Sequence, residues 1–200
     1  MQAMQEKAPC RSNAIIEAPV NEVLTHLLRF YVEEVSKRGM TVQGDGQSVK
    51  RAADFLTDTG RKTWLFLSGN VGTGKTTLLT AIRRTLDHYY IPCRMFRASD
   101  FPVLFLNNVE QTERQIMRGD WCKVLLLDDI GVEQTEIKEY GNTIQPFVKI
   151  VEERYNRSLP LIVSTNLSGA EMAERYGKRT IDRISEMSVG IKYENQSYRK

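Results

Sequence analysis

Residues 69 to 76 read Gly69-Asn70-Val71-Gly72-Thr73-Gly74-Lys75-Thr76 and match the pattern G-x-x-x-x-G-K-S/T at every fixed position. The apolar run 64–67 (Trp-Leu-Phe-Leu) directly precedes this stretch, and apolar residues at helical spacing follow it over 78–82. The pattern predicts a strand, a glycine-rich loop and a helix in that order, which is the context of a phosphate-binding loop. We therefore predict that the chain binds a nucleoside triphosphate.

The residue types in this stretch suit the chemistry of a triphosphate. The glycines allow positive φ angles, so successive backbone N–H groups can point at anionic oxygens, and the following helix adds its positive end. Lys75 is the candidate charge on the β- and γ-phosphates, and the Thr76 hydroxyl is a candidate Mg²⁺ ligand. The candidate nucleotide-binding residues are Gly69, Asn70, Val71, Gly72, Thr73, Gly74, Lys75, Thr76 and Thr77.

A second apolar run, Val124-Leu125-Leu126-Leu127, ends in two adjacent carboxylates. It reads as a buried parallel strand whose acids follow its carboxyl end. Beside a phosphate loop, one acid can hold Mg²⁺ and its neighbour can orient the attacking water. We assign Asp128 to the metal and Asp129 to the water, with Glu133 as the next candidate for the water.

A third strand is predicted at Pro160–Thr165, and polar residues end it. A side-chain amide at such a strand tip can donate to a phosphate oxygen or position water, which makes Asn166 a candidate catalytic residue. Turn chemistry is the alternative for the same residue, since Asn and Ser are common at strand ends. The sequence from Ser168 to Glu171 predicts a capping box that opens the next helix.

Taken together, these motifs resemble the AAA+ ATPases of the DnaC/DnaI helicase-loader and IstB transposition-helper group. The resemblance covers roughly residues 60–200 and rests on the phosphate loop, on Leu125-Leu-Leu-Asp-Asp-Ile-Gly, on Val163-Ser-Thr-Asn and on Ser197-Tyr-Arg. It implies an α/β fold of three αβα layers with a parallel sheet. It also implies ATP and Mg²⁺ as cofactors, and ATP hydrolysis that is slow until subunits assemble.

The resemblance further implies an arginine that one subunit inserts into the ATP site of its neighbour. Arg183 stands where the group usually carries this residue, and Arg179 is a close competitor; both also read as a solvated basic helix face. The implied partners are a second copy or another AAA+ protein, a replicative helicase or a transposase, and single-stranded DNA. A P-loop nucleotide or small-molecule kinase and a non-hydrolysing binding module remain as alternative functions.

We predict a helical extension over residues 1–57 and an ATPase core over 58–200. In the extension, apolar spacing predicts helices at Val20–Lys37 and Val49–Leu56, with packing on the core as the default role. In the core, we predict a strand at Cys93–Arg97, a helix capped by Ser99-Asp100, and a helix from Glu136 to Arg157 interrupted or begun afresh near Pro146. Because the sequence ends at Lys200, no helical lid is expected, and the role of Arg199 stays open.

Bulk composition agrees with one such domain. The chain has 200 residues, a formal charge of +3 and three cysteines without metal-ligand spacing. The mild positive charge permits contact with a nucleic-acid backbone without demanding it. With no signal peptide and no long apolar run, we expect a cytoplasmic protein that has reduced thiols and no membrane contact, in which Cys93 and Cys122 pack rather than react.

Overall fold

A computed structural model of the chain describes residues 14–39, 46–107, 116, 119, 121–139 and 142–193. The described helices are α1 (Val20–Lys37), α2 (Gly46–Thr57), α3 (Lys75–His88), α4 (Phe101–Asn107), α5 (Pro146–Asn156), α6 (Gly169–Tyr176) and α7 (Lys178–Met187). The described strands are β1 (Trp64–Gly69), β2 (Cys93–Arg97), β3 (Val124–Ile130), β4 (Ile137–Glu139), β5 (Asn142–Ile144), β6 (Leu161–Thr165) and β7 (Ser188–Tyr193).

Five strands form a parallel sheet in the order β2-β3-β6-β1-β7. Strand β6 therefore lies between β1, which leads into the glycine-rich loop, and β3, which ends in the two carboxylates. Because the strands are parallel, their carboxyl ends meet at the same edge of the sheet. The three segments singled out in the sequence are brought together at that edge.

Alternating side chains of the central strands divide the core into two halves. Leu65 and Leu67 of β1 join a buried cluster with residues of α1, α2 and α3 on one face. Trp64 and Phe66 join a second cluster on the other face, with residues of α4, α5, α6 and α7. Successive strand residues point to opposite faces, and both faces are covered by helices. The predicted three-layer αβα fold with a parallel sheet is confirmed.

Helix α1 packs on the sheet-covering helix α3, and α2 packs on α1 and on strand β7. The apolar faces of α1 and α2 lie in the same buried cluster as the interior of α3. Arg84 of α3 forms ion pairs with Glu33 and Glu34 of α1, and its guanidinium lies 4.5 Å from the centroid of the Phe30 ring. Both helices and their packing on the core are as predicted, whereas the domain boundary at residues 57/58 stays a prediction.

The predicted helix between Glu136 and Pro146 is wrong, whereas the start of a new helix near Pro146 is confirmed. Residues 137–139 and 142–144 form an antiparallel pair in which Ile137 faces Ile144 and Lys138 faces Thr143. Helix α5 begins at Pro146. A proline is tolerated in the first turn of a helix, because the backbone nitrogens of that turn have no hydrogen-bond partner within the helix. The helical spacing after Pro146 is real, but the β-branched residues before it pair across a hairpin instead.

Arg154 of α5 is fully buried and has hydrogen bonds to four backbone carbonyls. Its guanidinium donates to the oxygens of Ile116, Cys122, Lys123 and Pro160 at 2.6 to 3.1 Å. Burial lowers the pKa of Arg154 to about 10, so the group stays protonated at neutral pH. The side chain thereby joins α5 to the segments that lead into β3 and β6.

We expect Arg154→Leu to destabilise the fold by about 3 kcal/mol or more, because buried carbonyls lose their donor. The control is Arg157→Leu, which removes an exposed arginine whose side chain pairs with Glu153 at 3.4 Å. That change should cost less than about 0.5 kcal/mol. Urea unfolding followed by circular dichroism measures both, and equal midpoints for the two variants would contradict this role of Arg154.

The two cysteines in the described residues form no disulfide, and burial disfavours the reactive thiolate form of each. Burial raises the pKa of Cys93 to about 12, with a further contribution from Asp87, whose carboxylate lies 3.4 Å from the sulfur. Burial also raises the pKa of Cys122, which is fully enclosed. Within the described ranges, no helix is long and apolar enough to cross a bilayer.

Candidate nucleotide-binding site

The loop between β1 and α3 has the backbone conformation that its glycines allow. Gly69, Gly72 and Gly74 have φ angles of 146°, 81° and 97°. A Cβ atom at position 69 would lie 2.4 Å from the backbone oxygen of Tyr193, so a side chain there would clash as well as strain the backbone. The predicted use of positive φ at these positions is confirmed. Residues 70 to 72 and Gly74 of the loop are exposed or half-buried, whereas Thr73 is buried.

Lys75 is held inside this loop. Its ammonium group donates to the backbone oxygens of Gly69 and Asn70, both at 2.7 Å, and the side chain is buried. Burial lowers the pKa of Lys75, while the carboxylates of Asp129 and Asp128 act in the opposite direction. The lysine thus lies between the loop and the two acids of β3.

Asp128 meets Thr76 across the sheet edge. The Thr76 hydroxyl donates to Oδ1 of Asp128 at 3.1 Å, and the Ser164 hydroxyl donates to the same oxygen at 2.6 Å. The aspartate is buried, so these hydroxyls satisfy a carboxylate that is removed from water. The two residues predicted as metal ligands, Thr76 and Asp128, are therefore in direct contact.

A β-bulge sets the direction of Asp129. Leu127 pairs with Val163, and Ile130 pairs with Thr165, so Asp128 and Asp129 together face the single residue Ser164. Asp129 has a φ of 57°, and its backbone N–H donates to the Ser164 hydroxyl at 2.9 Å. Consecutive strand residues would normally point to opposite faces, but the bulge changes that relation for this pair.

Ser164 is a site residue that the sequence analysis missed. Its single hydroxyl binds both the Asp128 carboxylate and the Asp129 amide, which fixes the bulge. The signal was available in the polar end of β6, where Ser164 precedes Asn166. A serine in an otherwise apolar buried strand needs a hydrogen-bond partner, and the neighbouring strand tip supplies one.

Asn166 lies directly after β6, half-buried at the same sheet edge. The hydrogen bonds of this turn come from its neighbours. Thr165 donates to the Ile130 oxygen at 2.7 Å and accepts from the Leu167 amide at 3.1 Å. Ser168 and Glu171 form the predicted capping box at the start of α6. The hydrogen bonds typical of a turn or a helix cap are therefore made by Thr165 and Ser168.

Glu133, the second candidate for orienting water, has other partners. One carboxylate oxygen accepts the Gly131 amide at 2.7 Å, and the other accepts the hydroxyl of Tyr176. The side chain is buried. Both of its oxygens are therefore engaged within the protein.

The two candidate arginines on α7 differ in exposure. The Arg183 side chain is only 15% exposed, pairs with Glu152 at 3.0 Å and lies over the Tyr155 ring at 5.1 Å from its centroid. The Arg179 side chain is 81% exposed and lies 3.8 Å from the same glutamate. Of the two, Arg179 is the more accessible to solvent. The Ser197-Tyr198-Arg199 stretch lies outside the described residues.

Known proteins of similar sequence and fold act in DNA replication. The replicative helicase loader DnaI of Bacillus subtilis (strain 168) is 28% identical over 132 residues, a match that covers 64% of this chain and 42% of that protein. The DnaC helicase loader structure matches with a TM-score of 0.59 at 20% identity, over 76% of this chain and 92% of that chain. A DnaI structure matches with a TM-score of 0.58 at 21% identity, over 91% and 94%.

The chain has the fold of the DnaC and DnaI helicase-loader structures. A replication initiator, DnaA bound to AMPPCP and single-stranded DNA, has a similar fold, with a TM-score of 0.59 at 19% identity over 78% of this chain and 48% of that chain. No protein-family model matches the chain. The resemblance to DnaC and DnaI helicase loaders is thus confirmed, whereas the resemblance to the IstB group stays a prediction.

Proposed function

We propose that the chain is an ATP-binding and ATP-hydrolysing AAA+ protein that acts as a nucleotide switch in cytoplasmic DNA replication. The observation that carries this proposal is the contact between Thr76 of the phosphate loop and Asp128 of β3, at 3.1 Å. A phosphate loop alone would support binding of an anion. A loop whose threonine touches a buried strand-end carboxylate supports binding of a metal-bound triphosphate.

The loop would hold the phosphates through its backbone and through Lys75. The positive φ angles of the glycines let backbone N–H groups line the loop, and the start of α3 adds the positive end of a helix. The ammonium group of Lys75 already lies within the loop, bound to two of its carbonyls. It can exchange those neutral acceptors for phosphate oxygens, which accept stronger, charge-assisted hydrogen bonds.

The donor set beside the loop fits Mg²⁺. Mg²⁺ prefers oxygen ligands and is usually bound by one or two protein groups together with substrate phosphates. The Thr76 hydroxyl and the Asp128 carboxylate supply such oxygens, and Ser164 fixes the carboxylate from behind. Bound there, Mg²⁺ would neutralise charge on the β- and γ-phosphates.

Hydrolysis needs an oriented water, which we assign to Asp129 with Asn166 as its companion. Because of the bulge at the end of β3, the direction of the Asp129 side chain is not fixed by that of the buried Asp128. Asn166 follows the adjacent strand β6, so its amide can donate to a phosphate oxygen or to the water. Both residues would then act at the same edge of the sheet.

Assembly would complete the site with an arginine from a neighbouring subunit. A cation that reaches the γ-phosphate stabilises charge in the transition state and couples hydrolysis to oligomer formation. The resemblance points to Arg183, whereas exposure favours Arg179. We propose that residues 58–200 carry this chemistry and that the helices of residues 1–57 pack on them.

The proposed partners follow from the relatives. A protein named replicative helicase loader is similar in sequence, and a DnaA structure of the same fold contains single-stranded DNA. We propose a replicative helicase and single-stranded DNA as partners, with a second copy of this chain as the subunit that completes the ATP site.

The test is ATP turnover measured against protein concentration, with and without single-stranded DNA. We expect turnover to rise more than linearly with concentration, because each site needs a neighbour. Arg179→Ala or Arg183→Ala should lower turnover about 1000-fold while ATP still binds. Arg157→Ala, an exposed arginine on α5, is the control and should behave like the parent.

Other outcomes would contradict the proposal in distinguishable ways. Turnover that is linear in concentration and unaffected by either α7 substitution would exclude a trans arginine. Transfer of phosphate to an added nucleotide acceptor would identify a kinase. ATP binding without turnover at any concentration, with or without DNA, would identify a non-hydrolysing binding module.

A further inference from the structure

The loop after β3 is tied to the end of α6 by a buried hydrogen-bond network centred on Glu133. The Tyr176 hydroxyl donates to one carboxylate oxygen of Glu133, and the amide of Gly131 donates to the other at 2.7 Å. Arg175 donates to the backbone oxygen of Glu133 and to the hydroxyl oxygen of Tyr176. Two donors, one from the helix end and one from the loop, thus hold a single buried carboxylate, and Arg175 joins the same helix end to the backbone of Glu133.

Packing and backbone geometry restrict the positions that the members of this network can take. Tyr176 is buried, and its ring lies 4.7 Å from the ring of Phe147 on α5. Gly131 has a φ of 114°, and a Cβ atom there would lie 2.7 Å from the Leu167 side chain. A buried carboxylate that lost one donor would carry an uncompensated polar oxygen, so loop and helix are expected to stay joined.

The position of the network links two parts of the candidate ATP site. Gly131 follows the bulge that orients Asp129, so the tether holds the chain directly after the water-orienting acid. Tyr176 is the last residue of α6, and only Gly177 separates it from α7, which carries Arg179 and Arg183. Only one residue therefore separates α7 from the residue whose hydroxyl holds Glu133.

We infer that Tyr176 is a positioning residue that, through Glu133, holds the loop after Asp129 in register with α7. The inference rests on the proposed function and deepens it. Contact of α7 with a second subunit would bias the orientation of Asp129 in the same subunit. The site would then respond to assembly through its own α6–α7 junction, in addition to any arginine supplied by the neighbour.

The test compares Tyr176→Phe with Tyr89→Phe. Phenylalanine at 176 keeps the ring against Phe147 and removes only the hydroxyl. Tyr89 also donates to a glutamate, Glu22 at 2.9 Å, but it joins α3 to α1 and lies outside the network. We expect Tyr176→Phe to lower kcat about ten-fold with the KM for ATP unchanged within about two-fold, and Tyr89→Phe to leave both constants as in the parent.

A second readout requires no nucleotide. Amide hydrogen exchange in the 129–133 segment should become about ten-fold faster in Tyr176→Phe, because the Gly131 amide loses its fixed acceptor, with a smaller rise at the start of α7. Exchange and kcat equal to those of the parent would overturn the inference. If the parent protein binds no ATP, the proposed function is wrong. The exchange measurement then still tests whether Tyr176 holds the loop through Glu133. Should Tyr176→Phe not fold, Glu133→Ala, which removes both acceptor oxygens, serves as the second variant with the same expected exchange.

Discussion

Substitution of Lys75 by alanine should lower the affinity for ATP by at least about 100-fold. The ammonium group is the one cation held inside the described part of the phosphate loop, where it bonds to Gly69 and Asn70. Charge-assisted bonds to phosphate contribute about 1.5–3 kcal/mol each, and two such bonds account for a loss of this size. Titration with a fluorescent ATP analogue at fixed Mg²⁺ measures the change.

Lys62→Ala is the matched control for this experiment. Lys62 also donates to a backbone carbonyl, that of Ser188 at 3.0 Å, but it lies before β1, at the opposite edge of the sheet from the loop. It should bind ATP as the parent does. Equal affinities for Lys75→Ala and the parent, with both proteins folded by circular dichroism, would contradict the assignment of the loop.

Asp129→Asn should leave ATP bound while kcat falls by at least about 100-fold. The amide is nearly the same size as the carboxylate and tolerates the left-handed φ of 57° at this position, so the bulge should persist. What is lost is the negative charge that orients and polarises water, an interaction made mainly in the transition state. Single-turnover hydrolysis together with equilibrium binding separates the two effects.

Asp128→Asn should affect both binding and hydrolysis, which distinguishes loss of a metal ligand from loss of the acid that orients water. Asp128 is the proposed metal ligand, so its substitution should weaken Mg²⁺-dependent ATP binding as well as hydrolysis. Hydrolysis at the parent rate in Asp129→Asn would transfer the water-orienting role elsewhere. Glu133 would be the next residue to test, although both of its carboxylate oxygens are already engaged.

The parts of the site that depend on local sequence could be predicted from it. The glycine-rich loop has positive φ at three positions, and the glycines that allow these angles are read directly from the sequence. The strand before Asp128 is a continuous apolar run, which parallel strands buried on both faces require. The capping box at Ser168 depends on two residues of one helical turn. Each of these features is read within a few residues of chain.

The parts that depend on contacts between distant segments were missed. Ser164 acts through the bulge opposite it, and the existence of the bulge depends on the register between β3 and β6. Tyr176 reaches Glu133 across 43 positions of sequence. The hairpin at Ile137–Ile144 replaces a predicted helix because the two isoleucines pair with each other across it. Periodicity within one segment carries no information on such pairings.

The central claim is that the backbone amides of the phosphate loop hold a triphosphate whose Mg²⁺ lies between Thr76 and Asp128. A crystal structure of the protein with Mg²⁺ and a non-hydrolysable ATP analogue tests it most directly. The account predicts phosphate oxygens on the amides of residues 70–76 and the metal at about 2.1 Å from the Thr76 hydroxyl oxygen. A nucleotide bound elsewhere, or a metal held without Thr76 and with Asp128 turned away from it, would contradict the account.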